Sequence, residues 1–331
     1  MKKTPLLLTN SGEAIPIASL EKWAYGWLID CEIAQRSSST IANCRLLIEK
    51  LLWFLRDRGY KTCGVSEIKD FLAYISNGHE DKRGRWGNNC LRTKVRPSTV
   101  ATHYTNLRTM FRYFVAEGLI KESPVERIKP PISRRDQIMP FSEDQVWAIL
   151  NAARRSEYRR RDEAIVLFLL DTGVRNTELC NLRLSQLDLH SRRCTILGKG
   201  NKRRLVYFGK RTAKALWQYL QEYPCEENEC VFRSIRGTSA GEGLTKDGLC
   251  QLIRRLGKAA NLSSVRCSPH TFRHTFAIQF LRSGGNVFTL KELLGHTSLT
   301  IVNRYVALAE ADIEHQHRQY SPVDRLINRR E

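Results

Sequence analysis

Long hydrophobic runs are absent from this sequence, and their absence excludes a chain that spans a membrane. A transmembrane helix needs about 18 or more consecutive apolar residues, whereas the apolar stretch at residues 164–170 ends at Asp171. The basic start, Lys2-Lys3, resembles the beginning of a secretory signal, but the apolar stretch at residues 6–8 is too short to continue one. The sequence therefore predicts a cytoplasmic protein without a membrane partner.

Closely spaced cysteines are also lacking. The chain contains 10 cysteines, but they stand mostly alone. The closest pair, Cys225 and Cys230, lies in an acidic segment without the repeated short spacing of zinc sites. We interpret most of the thiols as small, reduced core residues, and we predict neither a metal site nor a disulfide framework.

Acidic residues are scarce relative to basic ones. The chain has 34 Asp and Glu against 54 Lys and Arg, which gives a formal net charge of +20. Such an excess is typical of proteins that bind a polyanion. Before Pro130 there are 21 basic and 13 acidic residues, and from there on 33 and 21. Both parts are thus positively charged, and double-stranded DNA is the predicted partner of both.

The 331 residues have room for about two domains. Residues 1–128 are predicted to form a helical bundle, because apolar residues recur at three- and four-residue steps over 17–35, 38–58, 66–77 and 97–117. Residues 129–140 are predicted to be a linker, because Pro130 and Pro131 cannot continue a helix. Residues 141–331 form the predicted second domain.

The second domain is predicted to be mixed. Ser142 is the predicted N-cap of a helix, residues 164–170 read as a buried helix, and further helices are predicted at 212–222, 245–260, 269–282, 289–294 and in a tail after Tyr305. Between them, residues 194–197 and 204–208 are typical of a hairpin with a basic turn. The predicted fold class is therefore mainly α with a small antiparallel sheet: a helical bundle followed by an α+β domain.

Basic segments outside the helices are candidate DNA contacts. For the glycine-rich loop between the third and fourth helices, a solvated connector without a partner is an equally good interpretation. The candidate contacts are Lys82, Arg83 and Arg85 in that loop, Arg134 and Arg135 in the linker, and Lys202 and Arg203 in the hairpin.

Four short segments of the second half combine positive charge, imidazole and phenol. A phosphodiester attacked by an oxygen nucleophile develops negative charge on its non-bridging oxygens, and arginine can bind that charge in a bidentate manner. Histidine and lysine can transfer protons near neutral pH, and a tyrosine oxygen can form a covalent bond to phosphorus. The segments supply these groups in the order Arg175, Lys199, His270, Arg273, His296 and Tyr305.

The motifs around these residues resemble those of the tyrosine site-specific recombinases of the phage integrase family. They are Thr-Gly-Val-Arg-Asn-Thr-Glu-Leu from 172, Gly-Lys-Gly-Asn-Lys-Arg-Arg from 198, His-Thr-Phe-Arg-His-Thr-Phe-Ala from 270 and Leu-Leu-Gly-His-Thr-Ser-Leu-Thr from 293. The resemblance covers roughly the whole chain, and the helical first third resembles the family's core-binding domain. It implies DNA strand exchange in integration, excision, resolution or transposon movement.

The resemblance also implies roles for the site residues. Arg175 and Arg273 are expected to hold the scissile phosphate while Tyr305 attacks it, which leaves a 3′-phosphotyrosyl bond and a free 5′-hydroxyl. Lys199 is expected to protonate the leaving oxygen, and His270 to take part in proton transfer with the nucleophile.

Two further residues complete the set that the resemblance implies. His296 is expected to donate a hydrogen bond to a non-bridging oxygen, and Glu178 to orient its neighbours without reacting. The reaction is expected to need no metal, ATP or other cofactor.

Other residues compete for some of these roles. Lys202 lies in the same turn as Lys199, which we prefer because it lies in the family's Gly-Lys-Gly position. His274 is interpreted as a core residue. Tyr207 and Tyr320 are alternative phenols, but neither follows a Gly-His pair at short spacing, so Tyr305 is the predicted nucleophile.

The tail after Tyr305 combines apolar residues with acidic ones, Glu310, Asp312 and Glu314, in an otherwise basic chain. In the family the corresponding segment docks on a neighbouring subunit in a ring of four, so a homotetramer on two DNA sites is expected; packing of the tail on its own domain stays open. Two other functions also stay open at this point: a DNA-relaxing enzyme like the type IB topoisomerases, and a non-catalytic DNA-binding factor.

Overall fold

The computed structural model describes residues 14–78, 83–132, 139–198, 202–238 and 240–295, together with residues 302, 305, 306, 317, 321 and 323. The described residues up to Ile132 form one compact unit, and those from Met139 onward form a second. Within these ranges no helix is both long and apolar enough to cross a bilayer.

The first unit is a helical bundle with one short sheet. Its helices are α1 (Ile17–Ile33), α2 (Ser38–Asp57), α3 (Val65–Ser76) and α4 (Pro97–Ala116), and strand β1 (Ile15–Pro16) pairs antiparallel with β2 (Thr62–Cys63). The Ser37 hydroxyl accepts a hydrogen bond from the Thr40 backbone N–H and so caps α2. All four helices lie within two residues of their predicted ends, because their apolar stripes are long enough to fix the period.

The second unit carries the remaining helices and a three-stranded sheet. The helices are α5 (Glu143–Arg154), α6 (Arg159–Thr172), α7 (Asn176–Cys180), α8 (Lys210–Glu222), α9 (Lys246–Ala259), α10 (Pro269–Arg282) and α11 (Val287–Leu294). Strands β3 (Leu187–Asp188), β4 (Arg193–Leu197) and β5 (Arg203–Tyr207) form an antiparallel sheet in that order. The predicted fold class is confirmed. The short elements α7 and β3 were not predicted, because so few residues carry no periodicity.

Helix α6 lies in the core of this unit. It packs against α5, α8 and α10, and Ala164, Ile165, Val166, Phe168 and Leu169 are fully buried along it. A helix that is apolar on several faces has to be surrounded by other elements. The C-terminus of α6 is therefore held firmly, and the residues that follow it begin the candidate site.

The structure does not support Arg85 as a DNA contact. Gly84 and Trp86 have positive φ angles of 64° and 62°, and the chain turns so that the Arg85 side chain is buried. Its guanidinium donates to the carbonyl oxygens of Asn77 at 3.2 Å and Thr93 at 2.7 Å. Buried carbonyl groups need such donors. The guanidinium of Arg85 therefore stabilises the loop and is not available to DNA.

The other candidate DNA contacts divide into two groups. Arg83, Lys202 and Arg203 are exposed and so are accessible to a polyanion. The candidates Lys82, Arg134 and Arg135 lie outside the described residues, as does most of the predicted helical tail.

Candidate functional site

A glycine at the end of α6 turns the chain into the site. Gly173 is the C-cap of α6 and adopts φ 58°, ψ 23°, in the left-handed region that favours glycine. A Cβ at this position would lie 2.4 Å from Cδ1 of Phe276 and 3.0 Å from Cδ2 of Leu294. Only glycine fits between these side chains. Val174 follows in the core, and Arg175 then projects from a backbone that is fixed on both sides.

Glu178 lies at the centre of the basic residues of the site. Its side chain is 2% exposed, and its carboxylate accepts hydrogen bonds from the Arg175 backbone N–H at 2.7 Å and from Arg175 Nη1 at 2.8 Å. Arg204 on β5 donates to the same carboxylate through Nη1 at 2.8 Å and Nη2 at 2.7 Å. Glu178 therefore joins α7 to the sheet and orients two guanidinium groups. Nothing in the sequence alone separated Arg204 from its basic neighbours.

These contacts lower the pKa of Glu178. Burial alone would raise it, but hydrogen bonds from Arg204, the Arg175 backbone and the Arg175 side chain outweigh that effect and hold the pKa at about 2, against an ordinary value of 4.5. The carboxylate is therefore ionised at neutral pH, and its charge stabilises the folded state.

The low pKa makes stability depend on acid pH. A carboxyl with a depressed pKa contributes its stabilisation above the unfolded pKa and loses it as the pH falls through the folded value. We expect a loss on the order of 3 kcal/mol between pH 4.5 and about 2, measured by urea denaturation at a series of pH values. Glu178→Gln should flatten that dependence, whereas Glu157→Gln, which removes an exposed carboxyl 3.7 Å from Arg236, should leave it unchanged. An unaltered pH profile in Glu178→Gln would contradict the assignment.

The second predicted phosphate-binding arginine is buried. Arg273 is 3% exposed, and its Nη1 and Nη2 donate to the carbonyl oxygens of Gly173 and Leu294, both at 2.7 Å. Desolvation and the nearby Arg175 charge lower its pKa to about 10. The guanidinium thus remains charged at neutral pH, and it is held between the turn after α6 and the end of α11.

The predicted nucleophile contacts a histidine that the sequence analysis placed in the core. The Tyr305 hydroxyl lies 2.9 Å from Nδ1 of His274, and Tyr305 is 2% exposed among apolar residues of α10 and α11. His274 is only partly buried, so its interpretation as a core residue is wrong. Its position four residues after His270 and next to Arg273 was the signal, because residues i and i+4 share a helix face.

His270 is exposed, and its ring stacks on that of His274 with centroids 6.1 Å apart. Even so, enough protein surrounds the imidazole that partial desolvation lowers its pKa, and the charges of Arg273, Arg266 and Arg175 lower it further. A lowered pKa leaves the ring neutral near pH 7 and able to accept a proton.

The structure brings five of the predicted site residues into one region of the second unit: Arg175, Glu178, His270, Arg273 and Tyr305. Arg175 influences the pKa of both His270 and Arg273, and Tyr305 influences that of Arg273. The predicted Lys199 and His296 lie outside the described residues. Two guanidinium groups beside a phenol and two imidazoles can bind a phosphate anion and transfer protons to and from it.

Comparisons with known proteins agree with this arrangement. The model of the phage integrase family matches residues 140–312. "Tyrosine recombinase XerD" of Listeria monocytogenes is 29% identical over 233 residues, which cover 68% of this chain and 77% of that protein. "Tyrosine recombinase XerC" of Roseiflexus castenholzii is 28% identical over 300 residues, covering 88% of this chain and 90% of that protein.

Solved structures share the fold. The Tn1549 transposon integrase in complex with a circular intermediate DNA superimposes with a TM-score of 0.67 at 16% identity, over 92% of this chain and 100% of that one. A lambda integrase dimer bound to a COC′ core site gives a TM-score of 0.64 at 20% identity, over 85% and 96%. At these identities the likeness concerns the fold.

Proposed function

Because this chain belongs to the phage integrase family, the tyrosine site-specific recombinases that exchange DNA strands, we propose that it cleaves DNA with the Tyr305 hydroxyl and reseals it through a 3′-phosphotyrosyl intermediate. The observation that carries the proposal is the location of the phenol. Tyr305 is hydrogen-bonded to His274, the residue after Arg273, in the unit where Arg273 and Arg175 present guanidinium groups. The proposed nucleophile and the two proposed phosphate-binding arginines thus lie in one region, which supports the proposal.

The proposed step is an in-line transesterification. The Tyr305 oxygen attacks phosphorus, a new P–O bond forms, and the bond to the 5′ oxygen breaks. Lys199 gives a proton to the departing oxygen. Arg175 and Arg273 stabilise the charge on the non-bridging oxygens, with a further hydrogen bond from His296. One phosphodiester is exchanged for another, so the covalent adduct retains the energy needed for resealing.

The phenol must lose its proton during this attack. His270 is the proposed acceptor, and its lowered pKa supports that role because an imidazolium could not accept a proton. His274 holds the hydroxyl before the attack through Nδ1. The imidazole rings of His270 and His274 stack on each other, so substitution of either histidine is expected to change the orientation of the other.

Double-stranded DNA is the proposed substrate along the basic surfaces of both units. Electrostatic contacts to phosphate supply most of the affinity of such complexes, which therefore falls as salt increases. The proposed contacts are Lys82, Arg83, Arg134, Arg135, Lys202 and Arg203. Arg83, Lys202 and Arg203 are the members of this set that the structure describes, and all three are exposed, which supports their availability to DNA.

The proposed active assembly is a homotetramer on two DNA sites, joined by the C-terminal tails. The support is charge complementarity: the tail carries Glu310, Asp312 and Glu314 in a chain of net charge +20, so an acidic tail is attracted to the basic surface of another copy. These residues lie outside the described ranges. Light scattering of the DNA complex should give the mass of four chains on two duplexes. A complex that stays at one chain per site at saturation would overturn the proposal.

Capture of the covalent adduct tests the proposed chemistry. The chain is incubated with fragmented genomic DNA of its host, complexes are denatured in detergent, and protein-bound DNA is recovered and sequenced. We expect one recurrent sequence, attached through its 3′ phosphate, and a phosphorylated peptide that contains Tyr305. DNA binding without any denaturant-resistant adduct would overturn the proposal and favour a non-catalytic DNA-binding factor. The comparisons give no support to the topoisomerase alternative.

A further inference from the structure

The geometry assigns Arg204, on strand β5, as a positioning residue for the two phosphate-binding arginines; this assignment rests on the proposed function. Arg204 is bound by the carboxylate of Glu178, as Arg175 is. It also donates to the C-terminus of α11, as Arg175 and Arg273 do. We infer that it aligns both with the phosphate without contacting DNA.

The helix end in question is the C-terminus of α11. Arg204 Nε donates to the Leu293 carbonyl at 2.8 Å, Arg273 Nη2 to the Leu294 carbonyl at 2.7 Å, and Arg175 Nη2 to the Gly295 carbonyl at 3.0 Å. The last carbonyls of a helix lack partners within the helix and carry partial negative charge. Three guanidinium groups thus bind three consecutive carbonyls, and the helix end sets their spacing.

The donors of Arg204 face the protein. Its Nε, Nη1 and Nη2 all have partners in Leu293 and Glu178, and its side chain is 12% exposed. By contrast the Arg175 side chain is 31% exposed. Of the two arginines that Glu178 binds, Arg175 is therefore the one whose guanidinium is available to a phosphate, and Arg204 acts through its neighbours.

Gly295 fixes the position of Arg204 from the other side. Gly295 adopts a positive φ of 62°, and a Cβ there would lie 3.1 Å from Cδ, 3.2 Å from Nη1 and 3.3 Å from Cζ of Arg204. The arginine therefore occupies the space that a side chain at 295 would need. Arg204 and Gly295 therefore hold each other in place at the C-terminus of α11.

The charge balance explains why an arginine is needed at this point. Glu178 is one buried negative charge between two positive ones. With Arg204 present, the carboxylate is neutralised by a residue that stays in the protein, and the charge of Arg175 is left for the phosphate. Without Arg204, Glu178 would attract Arg175 alone and cancel its charge. Lysine cannot replace it, because an ammonium group lacks the planar fork that reaches two carboxylate oxygens and a carbonyl together.

The assignment predicts a defect that depends on the charge of the phosphate. Arg204→Gln and Arg204→Lys are compared with Arg193→Gln, which removes an exposed arginine paired with Asp188 on the adjacent strand. The substrate is a nicked duplex of the sequence recovered from the adduct, with either a normal phosphate or a neutral methylphosphonate at the cleaved position. Single-turnover adduct formation, DNA affinity and urea stability are measured for each variant relative to the wild type.

On the normal phosphate we expect both Arg204 variants to form adduct about 100-fold more slowly, because loss of one aligned charge typically costs that much. On methylphosphonate, which develops one negative charge fewer, the defect should shrink to less than about threefold. DNA affinity should change little, and Arg193→Gln should match the wild type throughout.

Equal losses on the two substrates would indicate a merely structural role and overturn the assignment, as would wild-type rates on the normal phosphate. If Arg204→Gln does not fold, the comparison of the two substrates is made with Arg204→Lys alone, which keeps the positive charge and is expected to show the same difference between them. These results require adduct formation by the wild type. If the wild type forms none, the proposed function itself fails, and the role of Arg204 falls with it.

Discussion

Tyr305→Phe is expected to abolish covalent attachment to DNA and to leave DNA affinity unchanged. The substitution removes one oxygen from a side chain that is 2% exposed, and it keeps the ring that packs among Ala277, Leu290 and Leu294. The loss of the hydrogen bond to His274 is expected to cost about 1 kcal/mol of folding free energy. The nucleophile is gone, so no intermediate can form. Adduct yield in denaturing gels and a filter-binding titration measure the two effects.

Tyr207→Phe is the matched control. Tyr207 lies at the end of β5, is 55% exposed and is the alternative phenol among the described residues. We expect the Tyr207→Phe variant to form the covalent adduct at the wild-type rate. Undiminished adduct in Tyr305→Phe, or its loss in Tyr207→Phe, would refute the choice of nucleophile.

Arg175→Ala and Arg273→Ala are each expected to slow adduct formation by about 100- to 1,000-fold, the usual effect of removing one donor to a developing oxyanion. The two variants differ in stability. Arg273 is buried and satisfies two carbonyls, so its loss also lowers the free energy of unfolding by about 1–3 kcal/mol. Arg175 is partly exposed, so its substitution should lower the free energy of unfolding by less. Single-turnover rates at saturating protein separate these effects from DNA binding.

Arg183→Ala serves as the control for both. Arg183 is exposed and donates to the Asn228 carbonyl, away from the residues of the site. The variant should cleave like the wild type. Near-native cleavage by Arg175→Ala or Arg273→Ala would show that the phosphate is held by other groups.

The helices were predictable from the sequence because each depends on a local pattern. The apolar steps of α2 and α4, the Ser142 cap and the hairpin alternation at β4 and β5 all lie within one element. The six residues predicted to be catalytic were selected through motifs whose chemistry is specific in combination. The structure then placed Arg175, His270, Arg273 and Tyr305 in one region, which no local pattern could have shown.

The residues whose roles the sequence did not reveal, or for which it predicted a different role, depend on packing across the fold. Arg203 and Arg204 are adjacent basic residues of one strand, and strand alternation says that they face opposite sides but not which side faces α11. His274 could not be matched with Tyr305, 31 residues later, before the position of Tyr305 against α10 was known. Arg85 looks like a surface charge until the carbonyls that it satisfies are known. In each case the partner is distant in sequence or lies in an irregular loop.

The burial of the Tyr305 ring has a consequence for timing. The hydroxyl of the proposed nucleophile is out of water and engaged by an imidazole, so it is not presented to a phosphate at the first encounter with DNA. If cleavage by Tyr305 is as proposed, removing the phenol from this apolar cluster adds to the activation barrier of the first cut. The choice of the DNA site that is cleaved would then depend on the release of the phenol, before any bond breaks, as much as on recognition of the bases.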